Sequence, residues 1–432
     1  MMKNMKIGIT GPISESNFGD YAMFVNNIYD LNLKDIILFV YNEDVLAPIC
    51  KDYLGQYNFE IQIISFLENN KIDNHLNDRI SQKVGFQTFR FPTYTPLDIL
   101  YSVSNLKEIE EKIDKIDILI VSGGGYFNHL WNNSLWRSSM LKKIMVPIIL
   151  ASKKNKKIFF TGNTMGPFDD SEEFFFYFFN YIKNAKFAVR DRIYSEKYLK
   201  RIGIDQTNIF FVPDDLFFIN PLLLDKTNDN TSFYKNEKYL VLELYYPLEK
   251  IKEYKDQIKD FCENIFLQYG LKVLFLPFDL ERGGMWQGEY LRNEINNFYL
   301  HDLNEKGYLP IYEAVNIIEH AEFLIANRYH AAVMALSREV PFISLIKKVC
   351  DDHRYYFCKI YGLLEYTFDN LEFDEMDFIK YDLQDTLDYV QKNLYAIIEK
   401  QKRLYNSQQY KENKATLYNL RRNYLESINE KQ

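Results

Sequence analysis

The sequence predicts an α/β protein with two Rossmann-like domains facing a cleft and a C-terminal helical tail. The chain has 432 residues, which is too long for one ordinary hydrophobic core and favours two domains. Short, continuous apolar runs alternate with segments of helix length, as they do in parallel sheets that are buried on both faces. The alternation stops at residues 219–237, a polar segment rich in turn formers, and then starts again, so we place the domain boundary there.

Residues 1–225 are predicted to form the N-terminal Rossmann-like domain. Helix-length segments such as 20–31, 171–184 and 192–202 separate its apolar runs, and Gly203 is suited to the left-handed turn that follows a helix. Repeated strand and helix segments of this kind predict a parallel sheet. The predicted strands are 6–10, 35–40, 61–66, 117–122, 157–162, 187–190 and 209–214.

Residues 236–385 repeat the pattern and are predicted to form the C-terminal Rossmann-like domain. Two α/β domains of similar type that face each other across a cleft form the arrangement called GT-B, so the expected fold class is GT-B-like. The predicted strands are 239–244, 272–278, 322–327 and 341–345, and the predicted helices are 250–269, 289–298, 311–320 and 328–338.

Residues 386–432 are predicted to form a helical, basic tail. From residue 391 onward the tail has nine Lys or Arg residues against four Glu residues, in a chain whose net charge is −8. A solvated helix accounts for such a tail. The functional alternative is peripheral contact with an anionic membrane surface or with a lipid-linked acceptor.

The overall composition excludes several classes of protein. A hydrophobic content of 47% and a charged content of 26% indicate a globular chain, and a pI of about 5.5 argues against nucleic acid as a partner. The four cysteines form no CxxC pair, which fits a reducing compartment. No leader-type apolar segment and no run long enough to span a membrane is visible, so we expect a cytoplasmic protein, with the inner face of the membrane as an optional contact.

The stretch NRYHAAVMAL, residues 327–336, follows a predicted parallel strand and begins a helix. Open α/β sheets bind ligands at this edge, and a helix N-terminus favours anions. Asn327 is predicted to cap the helix, and Arg328 adds a fork for carboxylate or phosphate. His330 should be neutral in an empty site, and a bound dianion would raise its pKa and make it a proton donor. The alternative is a core histidine satisfied by backbone groups.

Three further loops follow predicted strands and supply candidate residues. Asn17, Gly19 and Asp20 lie in the turn after the first strand, where Asp20 either caps a helix or acts on a sugar hydroxyl. The glycine run Gly123, Gly124 and Gly125 allows a ligand or the opposite domain to approach the backbone. Asn163 lies in a second glycine loop, and Arg190 at a strand end is either a second anion ligand or a surface ion pair.

Several motifs that would indicate other chemistry are missing from the sequence. The stretch CDDHRYYFC, residues 350–358, fits no zinc-site spacing, so we expect no metal there. There is no D-x-D, no GxSxG nucleophile elbow and no GxxxxGK[ST] phosphate loop.

An ordered set of stretches lies over roughly residues 6 to 345: NFGDYAM near the start, DILIVSGGG near 120, TGNTMGP near 165, VRDRIYSEKYLKRIG near 195, VPDD at 212–215 and ANRYHAAVMALSREVPFISL near 335. Taken together, these stretches resemble the polysaccharide pyruvyl transferase family. Two stretches depart from the family pattern: the loop TGNTMGP stands where the family usually has Gly-Gln-Gly-Ile-Gly-Pro, and IKKVCDDHRYYF also differs. The donor is therefore better defined than the acceptor.

The resemblance implies an enzyme that transfers the pyruvyl unit of phosphoenolpyruvate to a saccharide, forming a pyruvate ketal on a surface polysaccharide or its precursor. The family's Arg-x-His donor site matches Arg328 and His330, and its Val-Arg-Asp arginine matches Arg190. The N-terminal domain would then be the acceptor side and the C-terminal domain the donor side. On this hypothesis the two arginines bind phosphoenolpyruvate, His330 protonates its methylene carbon, and Asp20 orients or deprotonates a hydroxyl. Neither a metal nor another cofactor takes part.

Two other functions remain open from the sequence. A GT-B nucleotide-sugar glycosyltransferase would also use glycine loops and an arginine at a helix N-terminus. A non-catalytic glycan-binding protein of the same kind of pathway would bind saccharide and release no phosphate from any donor.

Overall fold

The computed structural model describes residues 5–13, 17–44, 46–67, 96–134, 137–224, 237–280, 284–349 and 351–429. Most of the predicted domain boundary, residues 225–236, lies outside the described residues, as do Cys350 and Lys431.

The N-terminal half forms one sheet of eight strands in the order β3-β2-β1-β4-β6-β7-β8, with β5 also paired to β6. All of these pairings are parallel, which confirms the prediction from the continuous apolar runs. The glycine run was expected to be a loop, but Gly124 and Gly125 begin a short strand against β6. The strands are β1 (Lys6–Thr10), β2 (Asp35–Val40), β3 (Asn58–Ile63), β4 (Ile118–Val121), β5 (Gly124–Phe127), β6 (Lys157–Met165), β7 (Ala185–Val189) and β8 (Ile209–Phe211).

Helices connect these strands and cover both faces of the sheet. The turn after the helix at 195–201 is made by Gly203 at φ +85°, as predicted. The helices are α1 (Phe18–Asp30), α2 (Leu46–Ile49), α3 (Pro96–Tyr101), α4 (Leu106–Lys115), α5 (His129–Asn133), α6 (Arg137–Lys153), α7 (Glu172–Tyr181) and α8 (Ser195–Arg201), with a π-helical turn at Cys50–Leu54 after α2.

The C-terminal half forms a second parallel sheet of six strands in the order β11-β10-β9-β12-β13-β14. The helix predicted at 289–298 lies earlier, at Met285–Glu294, because residues 298–300 pair with β10 as an edge strand. The strands are β9 (Tyr239–Glu243), β10 (Lys272–Phe275), β11 (Phe298–Leu300), β12 (Phe323–Ala326), β13 (Phe342–Leu345) and β14 (Ile379–Lys380).

The helix predicted at 250–269 is split at Tyr254 into two helices. The helices of this half are α9 (Leu248–Glu253), α10 (Lys255–Tyr269), α11 (Met285–Glu294), α12 (Ile311–Glu319), α13 (Tyr329–Ser337) and α14 (Arg354–Thr367).

The chain ends in two long helices, α15 (Leu383–Asn406) and α16 (Gln408–Asn429), as the tail prediction required. The helix α16 returns to the N-terminal domain, where the Tyr424 hydroxyl donates to Phe160 O at 2.6 Å. Arg421 is buried and bonds Asp30 and Asp215. The charge of Arg421 is therefore used inside the fold, and contact of the rest of the tail with a membrane stays a prediction. Among the described residues, no helix is both long and apolar enough to cross a bilayer.

The two domains meet along the carboxyl edges of their sheets. The backbone N–H of Phe18 at the start of α1 donates to Phe278 O after β10 at 3.0 Å. The Tyr308 hydroxyl donates to Asp52 Oδ2 at 2.5 Å. These contacts fix the cleft between the turn after β1 and the loops after β9, β10 and β12.

Candidate active site

A cavity of about 130 Å³ lies in the cleft between the two domains. Both domains line it with charged and aromatic side chains. Four cationic residues face it, against two carboxylates: Arg137, Arg190, Arg328 and Lys359, and Asp20 and Asp279. The described wall is therefore biased towards an anionic ligand.

Six of the sequence-predicted residues lie on this wall: Asn17, Asp20, Gly125, Arg190, Arg328 and His330. These residues are spread along the chain from residue 17 to residue 330. They come together because the two sheets face each other across the cleft. This is the grouping that ligand binding at the carboxyl edges of open α/β sheets predicts.

Arg328 spans the cleft between the two domains. Its Nη1 donates to Asn17 Oδ1 at 2.6 Å, and its guanidinium lies 4.3 Å from the centre of the Tyr245 ring. Its Nη2 lies 3.7 Å from Asp279 Oδ2. Asn17, Tyr245 and Asp279 thus fix the position of the Arg328 guanidinium, and the residue still lines the cavity.

Glu243, at the end of β9, occupies the start of helix α13. Its Oε2 accepts from the backbone N–H of Asn327 at 2.9 Å and of Arg328 at 2.7 Å. The carboxylate is fully buried, and this burial raises its pKa to about 7 although Arg328 acts to lower it. Part of the anion-binding capacity of this helix end is therefore used by the protein's own carboxylate.

Asn327 does not cap helix α13, contrary to the prediction. The N-cap is Arg328, and no side chain caps the helix there. The Asn327 amide accepts from the N–H of Tyr245 at 2.9 Å and donates to Leu345 O at 2.6 Å. The Asn327 side chain therefore connects the ends of three neighbouring strands instead of capping the helix.

His330 lies in the first turn of α13 and faces the N-terminal domain. Its Nε2 is 3.5 Å from Arg190 Nη1 and 3.8 Å from Asp214 Oδ2. Burial lowers the pKa of His330 well below its usual value, and Arg190, Lys359 and Arg328 lower it further. The imidazole is therefore neutral in the empty cavity, as the sequence predicted.

Arg190 forms a buried ion pair with Asp214, whereas the alternative considered from the sequence was an ion pair on the surface. Its Nη1 bonds Asp214 Oδ2, and its Nε donates to Thr164 Oγ1 at 2.8 Å. The guanidinium also lies 4.2 Å from the centre of the Tyr329 ring. Burial acts to lower its pKa, but Tyr329 and Asp214 outweigh burial and raise it. Arg190 therefore remains charged while it faces the cavity.

Asp20 lies in the first turn of α1, and the N-cap position is taken by Asn17. The Asn17 amide donates to Asp20 Oδ2 at 2.7 Å. Burial raises the pKa of Asp20, and this effect outweighs the Asn17 hydrogen bond and the charges of Arg328 and Lys359. A buried carboxyl of this kind can accept and hold a proton.

Gly19 and Asn163 are not part of the cavity lining. A β-carbon on Gly19 would lie 1.7 Å from His330 Nδ1, so Gly19 makes room for the imidazole. Asn163 is fully buried in β6, and its amide donates to Val121 O at 3.5 Å and to Thr161 O.

Gly123 and Gly124 also lie outside the cavity lining. A β-carbon on Gly123 would lie 2.6 Å from Asp215 Oδ2. Gly124 has a φ of +140°, which a residue with a side chain rarely adopts. For all ten predicted residues, contact with a substrate stays a prediction.

The sequence reasoning missed several residues of the wall. Tyr355, Tyr356 and Lys359 belong to helix α14, in or next to the stretch CDDHRYYFC that was considered only as a metal site. Tyr355 donates to Gly125 O at 3.0 Å across the cleft. An Arg, two Tyr and a Lys within six residues after the last core strand were the available signal. The described residues contain no group of three or more His, Cys, Asp or Glu that could hold a metal ion.

Lys347 lies behind Tyr245 on the same side of the cleft. Its Nζ donates to Tyr245 O at 3.1 Å and lies 3.4 Å from the centre of that ring. Burial lowers the pKa of Lys347 to about 7, and the charge of Arg328 lowers it further, while Glu243 opposes the shift.

Two parallel sheets with a cation-lined cleft between them define a GT-B protein. Solved structures of the same fold cover nearly the whole chain at low sequence identity, so they show the fold alone. A Neisseria meningitidis UDP-GlcNAc 2-epimerase bound to UDP-GlcNAc has a TM-score of 0.58 and 10% identity, with 98% of this chain and 99% of that chain covered. A Methanocaldococcus jannaschii UDP-GlcNAc 2-epimerase has a TM-score of 0.52 and 12% identity, covering 96% and 99%. A spinosyn rhamnosyltransferase has a TM-score of 0.50 and 8% identity, covering 99% and 100%.

The chain belongs to the polysaccharide pyruvyl transferase family, whose sequence model matches residues 17–346. The match includes both domains and every cavity residue up to His330. No curated protein matches the chain significantly. Members of a transferase family are enzymes, so the cleft is a candidate active site.

Proposed function

We propose that the chain transfers the pyruvyl unit of phosphoenolpyruvate to two hydroxyls of a saccharide, forming a pyruvate ketal and releasing phosphate. The observation that carries the proposal is the convergence of Arg190, Arg328 and a neutral His330 on one small cavity. The family match supports the transferred group, and the cationic wall supports an anionic donor.

The donor is bound by charge. Phosphoenolpyruvate has a carboxylate and a phosphate, and charge-assisted hydrogen bonds from a guanidinium to such groups are stronger than neutral ones. Arg328 and Arg190 enter the cavity from opposite domains, so a small molecule with two anionic groups joins the two walls. No metal is needed for this binding mode.

Binding of the donor prepares His330 as an acid. The imidazole is neutral in the empty cavity because burial and three nearby cations oppose its protonation. An anionic donor reverses the local charge, which raises the pKa of His330 and lets it take up a proton. His330 then transfers this proton to the methylene carbon of phosphoenolpyruvate, leaving an oxocarbenium-like centre at the adjacent carbon.

Two hydroxyls complete the reaction. The first forms a C–O bond to the oxocarbenium carbon and gives up its proton to Asp20. The second forms the other C–O bond as the bond to phosphate breaks, and phosphate leaves with that electron pair. The proton of the second hydroxyl balances the charge of the released phosphate. Arg190 and Arg328 stabilise the charge that develops on the leaving group, because they are already held in place.

A nucleotide-sugar glycosyltransferase remains the second candidate, since the fold neighbours include a rhamnosyltransferase. The size of the cavity favours the first candidate. Pockets for drug-sized ligands usually measure about 300–1,000 Å³, so a cavity of about 130 Å³ suits a three-carbon phosphate ester better than a nucleotide sugar.

Thermal shift of the purified chain separates the two candidates. Stabilisation by phosphoenolpyruvate, but not by UDP- or GDP-sugars, supports pyruvyl transfer. Stabilisation only by a nucleotide sugar contradicts it. A lipid-linked acceptor used at the inner face of the membrane is part of the proposal, and binding to vesicles that contain such an acceptor tests it separately.

A further inference from the structure

Lys359 is a buried amine that crosses from the C-terminal domain into the cavity. It lies on helix α14, and the residue is only 7% exposed. Its Nζ lies 3.4 Å from the centre of the Tyr355 ring and lines the cavity with Arg137 and Arg190. Within the described part of the chain, no carboxylate lies within ion-pair distance of this nitrogen.

Gly125 explains how Lys359 reaches this position. A β-carbon on Gly125 would lie 2.5 Å from Lys359 Nζ and 3.5 Å from Arg190 Nη2. A side chain at residue 125 would therefore displace the amine. Because both distances start from the same position, Lys359 Nζ and Arg190 Nη2 lie at most about 6 Å apart, which is close enough for one phosphate group in the cavity to contact both.

A protonated Lys359 and Arg190 repel each other at this distance unless an anion binds to both. Arg190 is already partly neutralised by Asp214, so it cannot balance a dianion alone. Arg328 has other partners, Asn17 and Tyr245. The part of the cavity beside Gly125 is therefore the place for the more highly charged group of the donor.

We propose that Lys359 and Arg190 together bind the phosphate group of the donor, while Arg328 binds its carboxylate. This inference rests on the proposed function, because it assigns the two ends of phosphoenolpyruvate to two walls of the same cavity. Lys359 is then a substrate-binding residue two positions after the segment IKKVCDDHRYYF, which departs from the family pattern.

Donor binding should be accompanied by proton uptake at Lys359. Burial lowers the pKa of Lys359 well below its usual value, and Arg190 lowers it further, so the amine holds its proton less firmly than an exposed lysine does. A phosphate dianion raises that pKa and charges the amine. The groups that face Lys359 from neighbouring elements are Arg190, Asp20, Arg137 and His330, together with Cys358, Tyr355 and Tyr356 on its own helix.

Calorimetric titration tests the assignment with phosphoenolpyruvate and with inorganic phosphate as probes. We expect Lys359→Met to weaken the binding of both probes by about ten- to hundredfold, as the loss of a charge-assisted hydrogen bond does. Lys359→Arg should restore part of the affinity, and Lys348→Met, which removes an exposed lysine, should leave it unchanged. The loss should be larger in KM for phosphoenolpyruvate than in kcat.

A second measurement keeps the test valid if Lys359→Met does not fold. Phosphoenolpyruvate is titrated into His330→Asn and into His330→Asn/Lys359→Arg, in two buffers of different ionisation enthalpy. Arginine stays charged throughout, so any difference in proton uptake between the two variants reports Lys359 and not Glu243 or Lys347. Smaller uptake in the double variant supports the assignment, and equal uptake overturns it. Wild-type affinity in Lys359→Met also overturns it. If the wild-type chain binds no phosphoenolpyruvate, the proposed function fails, which is a different outcome.

Discussion

Gly19 and His330 touch across the domain cleft so closely that a β-carbon on Gly19 would lie 1.7 Å from His330 Nδ1. Gly19→Ala should therefore displace the imidazole, although alanine is the better helix former. We expect kcat to fall by about a hundredfold, since a misplacement of about 1 Å costs that much. Phosphate release measures it.

Gly55→Ala is the matched control for this substitution. The nearest atom to a β-carbon there is Lys51 O at 3.5 Å, so the added methyl has room. Wild-type turnover in Gly19→Ala would show that the contact does not position His330.

Arg328→Ala and His330→Ala should each abolish phosphate release from phosphoenolpyruvate in the presence of acceptor. The first removes the group that spans the cleft, and the second removes the proton donor. Arg338→Ala and His320→Ala are matched controls and should retain activity. Arg338 lies at the far end of α13, and His320 lies at the end of α12. If His330→Ala keeps wild-type turnover, the acid role assigned to His330 is wrong.

The buried amine of Lys347 predicts a pH dependence of stability. Its pKa in the folded chain is about 7, whereas an unfolded lysine titrates at about 10.4. Between these values the unfolded chain binds more protons, so this residue makes the free energy of unfolding rise with pH. Below about pH 7 the folded chain carries the full cost of the buried charge.

Lys347→Met removes this dependence. Its stability advantage over the wild type should therefore be largest near pH 7 and should shrink towards about pH 10. Urea unfolding of both proteins at several pH values measures the difference. A difference that stays constant over this range would falsify the assignment of a lowered pKa to Lys347.

Arg421 should be a major contributor to stability, since it ties the last helix to the N-terminal domain. Its side chain is 3% exposed and lies 2.7 Å from both Asp30 Oδ2 and Asp215 Oδ1. Removing one partner of a buried ion pair costs about 3–5 kcal/mol, so Arg421→Ala should lower the unfolding midpoint strongly.

Arg422→Ala is the control for Arg421→Ala. Arg422 is the next residue, and its side chain is 55% exposed. Among the described residues, its one ion pair is with Glu426 of the same helix. Its loss should change the free energy of unfolding by about 0.5 kcal/mol or less. Equal effects of the two substitutions would mean that the basic tail acts on the surface and not inside the fold.

The fold was predictable because its signals are local and repeated. Continuous apolar runs identify buried parallel strands, and the polar segment at 219–237 separates two such sets. The strand at 298–300 was missed because it is a short edge strand of mixed exposure, whose sequence continues that of a helix.

The site was predictable only where residues follow strands of the sheet. Arg328, His330 and Arg190 satisfy that rule, and they lie together in the cleft. Glu243 is the last residue of an apolar strand, and its contact with the start of α13 depends on sheet register. Lys359 lies well inside helix α14, so its direction depends on packing between the domains and on the space left by Gly125.

The central claim is the transfer of pyruvate to a saccharide, and the most direct test is the product. Mass spectrometry should compare the surface glycan from cells that contain the intact gene, no gene, or the His330→Ala form. The account predicts a pyruvate ketal on the glycan only with the intact gene. Identical glycans in all three samples, or a difference of a whole sugar instead of a ketal, would contradict it.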